Sequence, residues 1–191
     1  MTTSCPPGPG LSRALLVSAG ALLAGLLVAA GVILLVTLGW AASAPLPTRV
    51  FVAAPERVPD GDTVVYPQGS CRLLGVDAPE RKKGRQSGQP GAEDAFKALR
   101  DEAMRGPTTV LVYGVDRYGR LLCWVIDHAG YALNLMLVES GFGEAYMTDR
   151  SPFAAGLLEA QRRAQAEKRG IWGLKGYEPP ESFRKRMREE K

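Results

Sequence analysis

The residues best suited to chemistry in this 191-residue chain are carboxylates and arginines that interrupt or end apolar segments. They are Asp62, Arg72, Asp77, Glu80 and Arg120. Hydrolysis of a phosphodiester needs cations at the non-bridging oxygens, because the phosphate charge repels nucleophiles, and it needs a carboxylate to activate water. Each residue alone is typical of an ordinary turn or strand exit, but together they favour phosphodiester chemistry.

Histidine and cysteine are too scarce to support the other common hydrolytic sites. The chain has one histidine, His128, and three cysteines without a C-x-x-C pair. Zinc sites, histidine-based nuclease chemistry and a Ser-His-Asp triad therefore lack ligands or bases. Cys71 and Cys123 lie on different predicted strands, so a disulfide and a pair of buried thiols both stay open.

Five β-rich segments bounded by Gly, Pro or Asp carry the charged residues. They span residues 49–53, 62–66, 71–76, 108–115 and 120–127. Helical periodicity predicts one helix within 91–106 and two more within 132–141 and 151–170. We therefore predict an α+β fold, a five-stranded OB-fold β-barrel with three packed helices, a shape whose open face often binds nucleic acids or sugars.

One predicted strand needs a bend if its charges are to meet. Arg72 and Asp77 are five residues apart, and strict alternation would direct them to opposite faces. Gly75 lies between them, where a bulge or kink would turn the strand exit toward the side of Arg72. We therefore expect Cys71 and Leu73 to pack inward while the charged side chains converge outside.

The N-terminal quarter differs sharply in composition from the rest. The first 44 residues contain one charged side chain, Arg13, and residues 14–40 are an apolar run of 27 residues ending in Trp40. A helix of that length is about 40 Å long and can cross a hydrocarbon core of about 30 Å. We predict an uncleaved transmembrane signal-anchor helix; a cleaved secretory signal and a buried soluble helix are the alternatives.

The chain then divides into five predicted segments. They are an N-terminal tip at 1–13, the transmembrane helix at 14–40, a linker at 41–48, the folded domain at 49–174 and a charged tail at 175–191. The short N-terminus favours a single-pass protein with its domain outside the cytoplasm; an organellar membrane, or secretion after cleavage, stays open. The tail is compatible with a loosely docked amphipathic helix and with a solvated, frayed end.

Five sequence blocks resemble, in order, those of the staphylococcal (thermo)nuclease family. The blocks are VPDGDTV, CRLLGVDAPE, DRYGRLLCWV, LNLMLVESGFGEAY and EAQRRAQAEKRGIW, and the similarity covers about residues 49–173. Members of that family have an OB-fold barrel with a calcium-dependent nuclease site that cuts DNA and RNA and leaves 3′-phosphate ends. The resemblance implies the same fold and chemistry here.

The resemblance also implies a calcium site. Asp62 and Asp77 resemble the two calcium carboxylates, and Ala78, where the staphylococcal enzyme has threonine, would add a backbone carbonyl. These ligands leave water and phosphate to complete the roughly six to eight oxygens that calcium prefers. Such a site binds weakly, and a dissociation constant of about 10⁻³ M is typical of extracellular calcium modules.

The remaining matches imply roles in catalysis and substrate binding. Glu80 resembles the residue proposed as general base, and Arg72 and Arg120 resemble the arginines that hold the phosphate, for which guanidinium groups are well suited. The predicted substrate-binding residues are Tyr118, Tyr146 and Arg117. Tyr146 is the least direct match, because its block is one residue shorter than in the staphylococcal enzyme.

We therefore expect a membrane-anchored, calcium-dependent endonuclease acting on DNA and RNA. We expect a monomer whose partners are nucleic acid and, through residues 14–40, a membrane; no protein partner is implied. The alternative is a non-catalytic nucleic-acid- or protein-binding module on the same fold, although the presence of all five charged site residues argues against decay. Residues 45–191 hold 23 basic and 20 acidic side chains, a net charge of +3, so bulk electrostatics alone would give modest affinity.

Overall fold

The computed structural model describes residues 45–82, 84, 87–146 and 151–190. The predicted N-terminal tip, the predicted transmembrane helix and residues 41–44 of the predicted linker lie outside these ranges. Within them, none of the helices combines the length and the apolar character that crossing a bilayer requires. The structure therefore describes the charged part of the chain, which follows the change in composition near Leu46.

Eight strands, four α-helices and one short 3-10 helix form in the described residues. The strands are β1 (Arg49–Ala53), β2 (Arg57–Asp60), β3 (Thr63–Tyr66), β4 (Gly69–Leu73), β5 (Val76–Asp77), β6 (Thr108–Val115), β7 (Leu121–Ile126) and β8 (Glu144–Ala145). The helices are α1 (Ala92–Ala103), α2 (Leu133–Glu139), α3 (Ala154–Ala166) and α4 (Pro180–Glu189), and the 3-10 helix is Gly170–Gly173. Each predicted strand and helix of the folded domain has a counterpart, and the fold is α+β as predicted.

Six strands form one sheet in the order β1-β6-β7-β4-β3-β2, and β5 pairs with β8 in a separate two-stranded sheet. The larger sheet is antiparallel except between β4 and β7, which run parallel. Its end strands, β1 and β2, follow each other in the chain, but no ladder joins them within the described residues. Of the predicted five-stranded OB-fold barrel, the structure shows the α+β class and the sheet, but this sheet has six strands and no ladder closes it within the described residues.

The difference arises where β1 gives way to β2. Residues 54–56 separate the two strands, and buried Pro55 has no N–H to contribute to a ladder. β2 then pairs with β3 in an irregular register between Arg57 and Asp60. The segment 57–60 contains a single non-proline apolar residue, Val58, so alternation of apolar and polar residues does not mark it as a strand.

The core is shared by the six-stranded sheet and the first three helices. Buried and more exposed residues alternate along most of β6, as expected for a strand with one face on a core. Each of the three helices contributes a fully buried leucine, namely Leu99, Leu137 and Leu157. Burial of a leucine side chain stabilises a fold by roughly 1.5–3 kcal/mol. The core thereby holds the strand ends that carry the charged side chains.

The predicted bend at Gly75 is confirmed. β4 ends two residues before Gly75 and β5 starts directly after it. Gly75 has a φ of +76°, and a Cβ at this position would lie 2.5 Å from Cδ1 of Leu157, so a side chain is excluded by conformation and by space. Cys71 and Leu73 are buried as predicted, and the chain after the bend turns back toward Arg72.

Buried Asn134 of α2 ties this bend to β7. Its side-chain oxygen accepts a hydrogen bond from the N–H of Val125 at 2.9 Å. Its amide group donates to the carbonyls of Leu74 at 2.9 Å and Cys123 at 3.0 Å. A buried amide is tolerated only when its donors and acceptors are paired. Asn134 therefore holds the turn before Gly75 against the strand that follows Arg120.

Cys71 and Cys123 are free thiols, and both are fully buried. The hydrogen bond between them, together with burial, raises the pKa of Cys123. Of the two arrangements that the sequence leaves open, the structure has the pair of buried thiols, which act as small apolar side chains.

The C-terminal tail forms a docked helix rather than a frayed end. α4 begins at Pro180, a residue well suited to the first turn of a helix. Phe183 is only 7% exposed. The fold therefore has one helix more than the three predicted.

Candidate active site

A cleft with a volume of about 390 Å³ opens where the exit of β4, the segment before β3 and the turn before β7 meet. Eight of the nine predicted site residues line it, namely Asp62, Arg72, Ala78, Glu80, Arg117, Tyr118, Arg120 and Tyr146. The ninth, Asp77, is buried and binds two arginines of the cleft wall. The fold thus brings the predicted residues together, while their individual roles stay predictions.

Arg72 joins two buried aspartates. Its guanidinium forms an ion pair with the carboxylate of Asp62, and its Nη2 lies 2.9 Å from Oδ1 of Asp77. Burial lowers the pKa of Arg72, and the charge of Asp77 opposes that shift. Buried ion pairs contribute little net stability, because desolvation offsets their attraction, so this cluster is better explained by chemistry than by stability.

Strand register places Asp62 beside Arg72. Thr63 of β3 pairs with Arg72 of β4, and the N–H of Leu73 donates to the carbonyl of Asp62 at 2.8 Å. The N–H of Ala78 donates to Oδ2 of Asp62 at 3.3 Å. These contacts hold the Asp62 carboxylate between β3 and the chain that leaves the bend.

Arg120 is held by the turn that leads into β7. Oδ1 of Asp116 accepts hydrogen bonds from the N–H groups of Tyr118 at 2.8 Å and Arg120 at 3.0 Å. Oδ2 of Asp116 lies 2.8 Å from both Nε and Nη2 of Arg120. Burial opposes ionisation of Asp116, but the hydrogen bonds from Arg120 and Tyr118 outweigh it and hold the pKa below its ordinary value.

Asp116 is a residue of the cleft wall that the predicted site omits. Its signal is present in the sequence, because aspartate three residues before a glycine is typical of a turn in which the carboxylate binds backbone N–H groups. The turn signal does not predict the contact of the second carboxylate oxygen, Oδ2, with the guanidinium of Arg120. That contact makes Asp116 a positioning residue.

Two tyrosines form the aromatic part of the cleft. The guanidinium groups of Arg117 and Arg120 lie 4.9 and 5.6 Å from the ring centroid of Tyr118. Tyr146 follows β8, and its N–H donates to the carbonyl of Gly75 at 2.9 Å. Tyr118 is 69% exposed and Tyr146 is 44% exposed, so both are accessible at the cleft. Tyr146 lines the cleft even though its sequence block is one residue shorter than in the staphylococcal enzyme.

Glu80 is held through its backbone by buried Gln89. The N–H of Glu80 donates to Oε1 of Gln89 at 3.1 Å, and the N–H of Gln89 donates to the carbonyl of Glu80 at 2.8 Å. The Gln89 amide also donates to the carbonyl of Glu178. Gln89 is a second positioning residue absent from the predicted site, and it connects the Glu80 segment to the C-terminal part of the chain.

Arg184 of α4 is a third residue at the site that the sequence did not predict. Its Nη2 lies 2.7 Å from Oδ2 of Asp77, and its Nη1 lies 3.0 Å from both Oδ1 of Asp77 and Oε1 of Glu80. The hydrogen bonds to Asp77 are the main reason that the pKa of Arg184 lies above its ordinary value. Arg188 of the same helix also lines the cleft. No motif in the tail indicates this placement, because the family resemblance ends before it.

The predicted calcium ligands fit a hard cation in chemical type. Asp62, Asp77 and the backbone carbonyl of Ala78 are oxygen donors of the kind that calcium prefers, although the described residues contain no group of three or more His, Cys, Asp or Glu side chains placed to hold a metal ion. Arg72 binds both carboxylates, and Arg184 binds both oxygens of Asp77. A cation at these carboxylates would therefore compete with the guanidinium groups of both Arg72 and Arg184.

The sequence that builds this site is similar to those of known proteins. Residues 70–173 match the family model described as staphylococcal nuclease homologue. A curated Escherichia coli protein named "Uncharacterized endonuclease" is 36% identical over 140 residues, which cover 68% of this chain and 82% of that protein. "Probable endonuclease LCL3" of Eremothecium gossypii is 32% identical over 128 residues, which cover 63% of this chain and 46% of that protein.

The extent of these similarities differs between relatives. The chain spans about half the length of the LCL3 proteins of Eremothecium gossypii and Vanderwaltozyma polyspora, 46% and 50%. The family model covers more than half of this chain and ends at Gly173, before α4 begins. The chain belongs to the staphylococcal nuclease homologue family.

Proposed function

We propose that this protein is a calcium-dependent endonuclease that hydrolyses phosphodiester bonds in DNA and RNA and leaves 3′-phosphate ends. The observation that carries the proposal is the convergence, in one cleft, of Arg72 and Arg120 with the carboxylates of Asp62, Asp77 and Glu80. Guanidinium groups suit phosphate, and a nearby carboxylate can take a proton from water. The three relatives described above all carry the word endonuclease in their names.

In the proposed mechanism the protein binds the phosphate and holds one proton. Arg72 and Arg120 bind the non-bridging oxygens and stabilise the charge that develops on them. The carboxylate of Glu80 accepts a proton from the attacking water, whose oxygen forms a bond to phosphorus while the bond from phosphorus to the 5′-oxygen breaks. The 5′-oxygen takes a proton from solvent and leaves as a hydroxyl group, and Glu80 returns its proton to solvent. Tyr118 and Tyr146 contact the nucleotide, and Arg117 binds the neighbouring backbone phosphate.

Calcium would be held by Asp62, Asp77 and the backbone carbonyl of Ala78. When bound there, it supplies positive charge that polarises the phosphate and favours loss of a proton from water. Because only two carboxylates take part, we expect weak binding, with a dissociation constant of about 10⁻³ M. The buried position of Asp77 and the backbone hydrogen bond to Asp62 keep the two carboxylates in place.

The cellular setting is proposed from the sequence. Residues 14–40 anchor a single-pass, monomeric protein in a membrane, with the domain outside the cytoplasm. Protease treatment of intact cells tests this location. Digestion of the domain supports it, and protection favours an inward-facing or organellar arrangement.

The central test compares Glu80→Gln with wild type, using the full-length chain in mild detergent and circular single-stranded DNA, which only an endonuclease can cut. We expect calcium-dependent cutting that EDTA abolishes and that Glu80→Gln lowers by about 10²–10⁴-fold, since a general base contributes that much. The control is Glu159→Gln, the same change at an exposed position on α3.

Cutting should also leave ends that a polymerase extends only after phosphatase treatment. A wild-type chain that binds single-stranded DNA without cutting it, in any concentration of calcium, would support the non-catalytic binding module instead. Equal cutting by Glu80→Gln and Glu159→Gln would remove the proposed role of Glu80.

A further inference from the structure

A helix that the family match does not include binds two carboxylates at the cleft. α4 lies beyond residues 70–173, yet Arg184 binds both oxygens of Asp77 and one oxygen of Glu80. The two residues that it bridges are a proposed calcium ligand and the proposed general base. The side chain of Asp77 is only 3% exposed, so its carboxylate has little solvent as an alternative partner.

The segment before and within α4 is docked by several specific contacts. Buried Phe183 precedes Arg184 in the helix. The hydroxyl of Tyr177 donates to Oε1 of Glu144 at 3.1 Å, and the Gln89 amide binds the carbonyl of Glu178. Arg184 therefore reaches the cleft from a helix that is packed against the domain.

The same helix is short enough to undock from the cleft and unfold. α4 has ten residues, and isolated helices of this length are marginal in water, so its helical state depends on docking. It carries four basic side chains and two acidic ones, which are Arg184, Lys185, Arg186, Arg188, Glu181 and Glu189. The positive charge of α4 is attracted to the carboxylates of the cleft. When a cation neutralises those carboxylates, the attraction that docks α4 is weakened.

We propose that α4 is a built-in competitor of the divalent cation, with Arg184 occupying the carboxylates of Asp77 and Glu80 until the cation displaces it. The proposal rests on the function proposed above. The Arg184 guanidinium covers both oxygens of Asp77 and places its positive charge beside the carboxylates that would hold the metal ion. Two cations that compete for the same carboxylates also repel each other, so the docked helix opposes loading of the site. Cation binding releases α4, and release of α4 raises cation affinity by the same factor.

The size of the effect follows from the docked fraction. When only a fraction of molecules has the site open, the apparent dissociation constant is the intrinsic one divided by that fraction. If α4 is docked in about nine molecules of ten, its removal lowers the apparent constant by about tenfold. The protein would then respond to cation concentrations well above those that the bare site requires.

Calcium titration calorimetry on the full-length chain in mild detergent tests the proposal without relying on catalysis. We expect Arg184→Gln to lower the apparent dissociation constant for calcium by roughly tenfold. The matched control is Lys185→Gln, which removes the same charge from an exposed neighbour on the same helix and should bind like wild type. Phe183→Ala undocks the helix without touching the carboxylates, and it should also tighten calcium binding.

Hydrogen exchange gives a second readout. In wild type, backbone amides of residues 183–189 should exchange slowly in EDTA and at least about tenfold faster with saturating calcium, and in Phe183→Ala they should exchange fast in both conditions. Melting temperatures within a few degrees of wild type show that the variants are folded.

The outcomes separate this inference from the proposed function. Equal calcium affinity in wild type, Arg184→Gln and Lys185→Gln overturns the inference, even if all three cut DNA. A raised KM for DNA in Arg184→Gln, with unchanged calcium affinity, also overturns it and assigns Arg184 to phosphate binding. Absence of calcium binding in all variants overturns both this inference and the calcium dependence proposed above.

Discussion

The turn that leads into β7 and the turn that leaves it have the same backbone design, but only the first faces the cleft. In the first, Oδ1 of Asp116 accepts the N–H groups two and four residues later, at 2.8 and 3.0 Å. In the second, Oδ1 of Asp127 does the same, at 2.8 and 2.8 Å. Each turn also has a glycine with positive φ three residues after the aspartate, Gly119 at +78° and Gly130 at +90°.

The two turns differ in the residue that closes them. In the first it is Arg120, whose guanidinium is bound by the second oxygen of Asp116 and lines the cleft. In the second it is Tyr131, which is 71% exposed and lies with His128 at a separate surface pocket. The backbone hydrogen bonds of such a turn depend only on its own residues. Whether its closing side chain reaches the cleft depends on the end of β7 at which the turn lies.

The largest expected difference between the turns comes from their closing residues. We expect Arg120→Ala to lower the rate of DNA cutting by about 10²–10³-fold, because it removes one donor that stabilises charge on the phosphate. Tyr131→Ala should leave the rate within about twofold of wild type, since an exposed side chain away from the cleft contacts no substrate. Initial rates at saturating calcium measure both, and a similar loss in the two variants would break the distinction between the turns.

A smaller effect is expected from the aspartates. Asparagine keeps the oxygen that accepts the backbone N–H groups but removes the negative charge, so Asp116→Asn should leave the turn intact and free the Arg120 guanidinium. We expect cutting to fall by about tenfold, since loss of a partner that orients a functional group typically costs about 10–100-fold. Asp127→Asn is the control and should cut like wild type.

A double-mutant cycle sharpens this prediction. If Asp116 acts through Arg120, then Asp116→Asn should cause no further loss of cutting in the Arg120→Ala background. Additive losses would show that Asp116 has a role of its own at the site.

The smallest effect, and an equal one in the two turns, is expected from the glycines. A Cβ added at either glycine would meet no atom of the described residues within 4 Å beyond its chain neighbours, so Gly119→Ala and Gly130→Ala differ from wild type only in backbone strain. Each should lower the free energy of unfolding by about 1–2 kcal/mol, the cost of a left-handed conformation for a residue with a side chain. Chemical denaturation measures this cost, and a clear inequality would contradict the view that the backbones are equivalent.

Much of the candidate site is predictable from the sequence because its parts are local. Asp62 follows a turn, Arg72 interrupts an apolar strand, and Gly75 lies where a bend must occur if Asp77 is to face the same cleft. The structure shows that bend at a positive φ. The position of Asp116 in a turn is also predictable, since it lies three residues before a glycine, as Asp127 does.

Other features depend on pairings that no local pattern describes. β2 is a short strand with little alternation of apolar and polar residues, and its pairing with β3 adds a sixth strand that the predicted five-stranded barrel did not include. The helix α4 could be anticipated as a helix but not as a wall of the cleft, because Phe183 is an ordinary apolar residue until it finds a buried position.

The sequence by itself therefore determined the residue types, the turns, the order of the main strands and helices and the position of the bend. All of these depend on interactions between residues a few positions apart, or on the conformational range of glycine and proline. Only the tertiary structure decided which of the two turns that flank β7 faces the cleft and which arginine of the C-terminal helix binds Asp77. The contact between Asp77 and Arg184 joins residues 107 positions apart, and it forms only because packing of the intervening strands and helices brings the two side chains together.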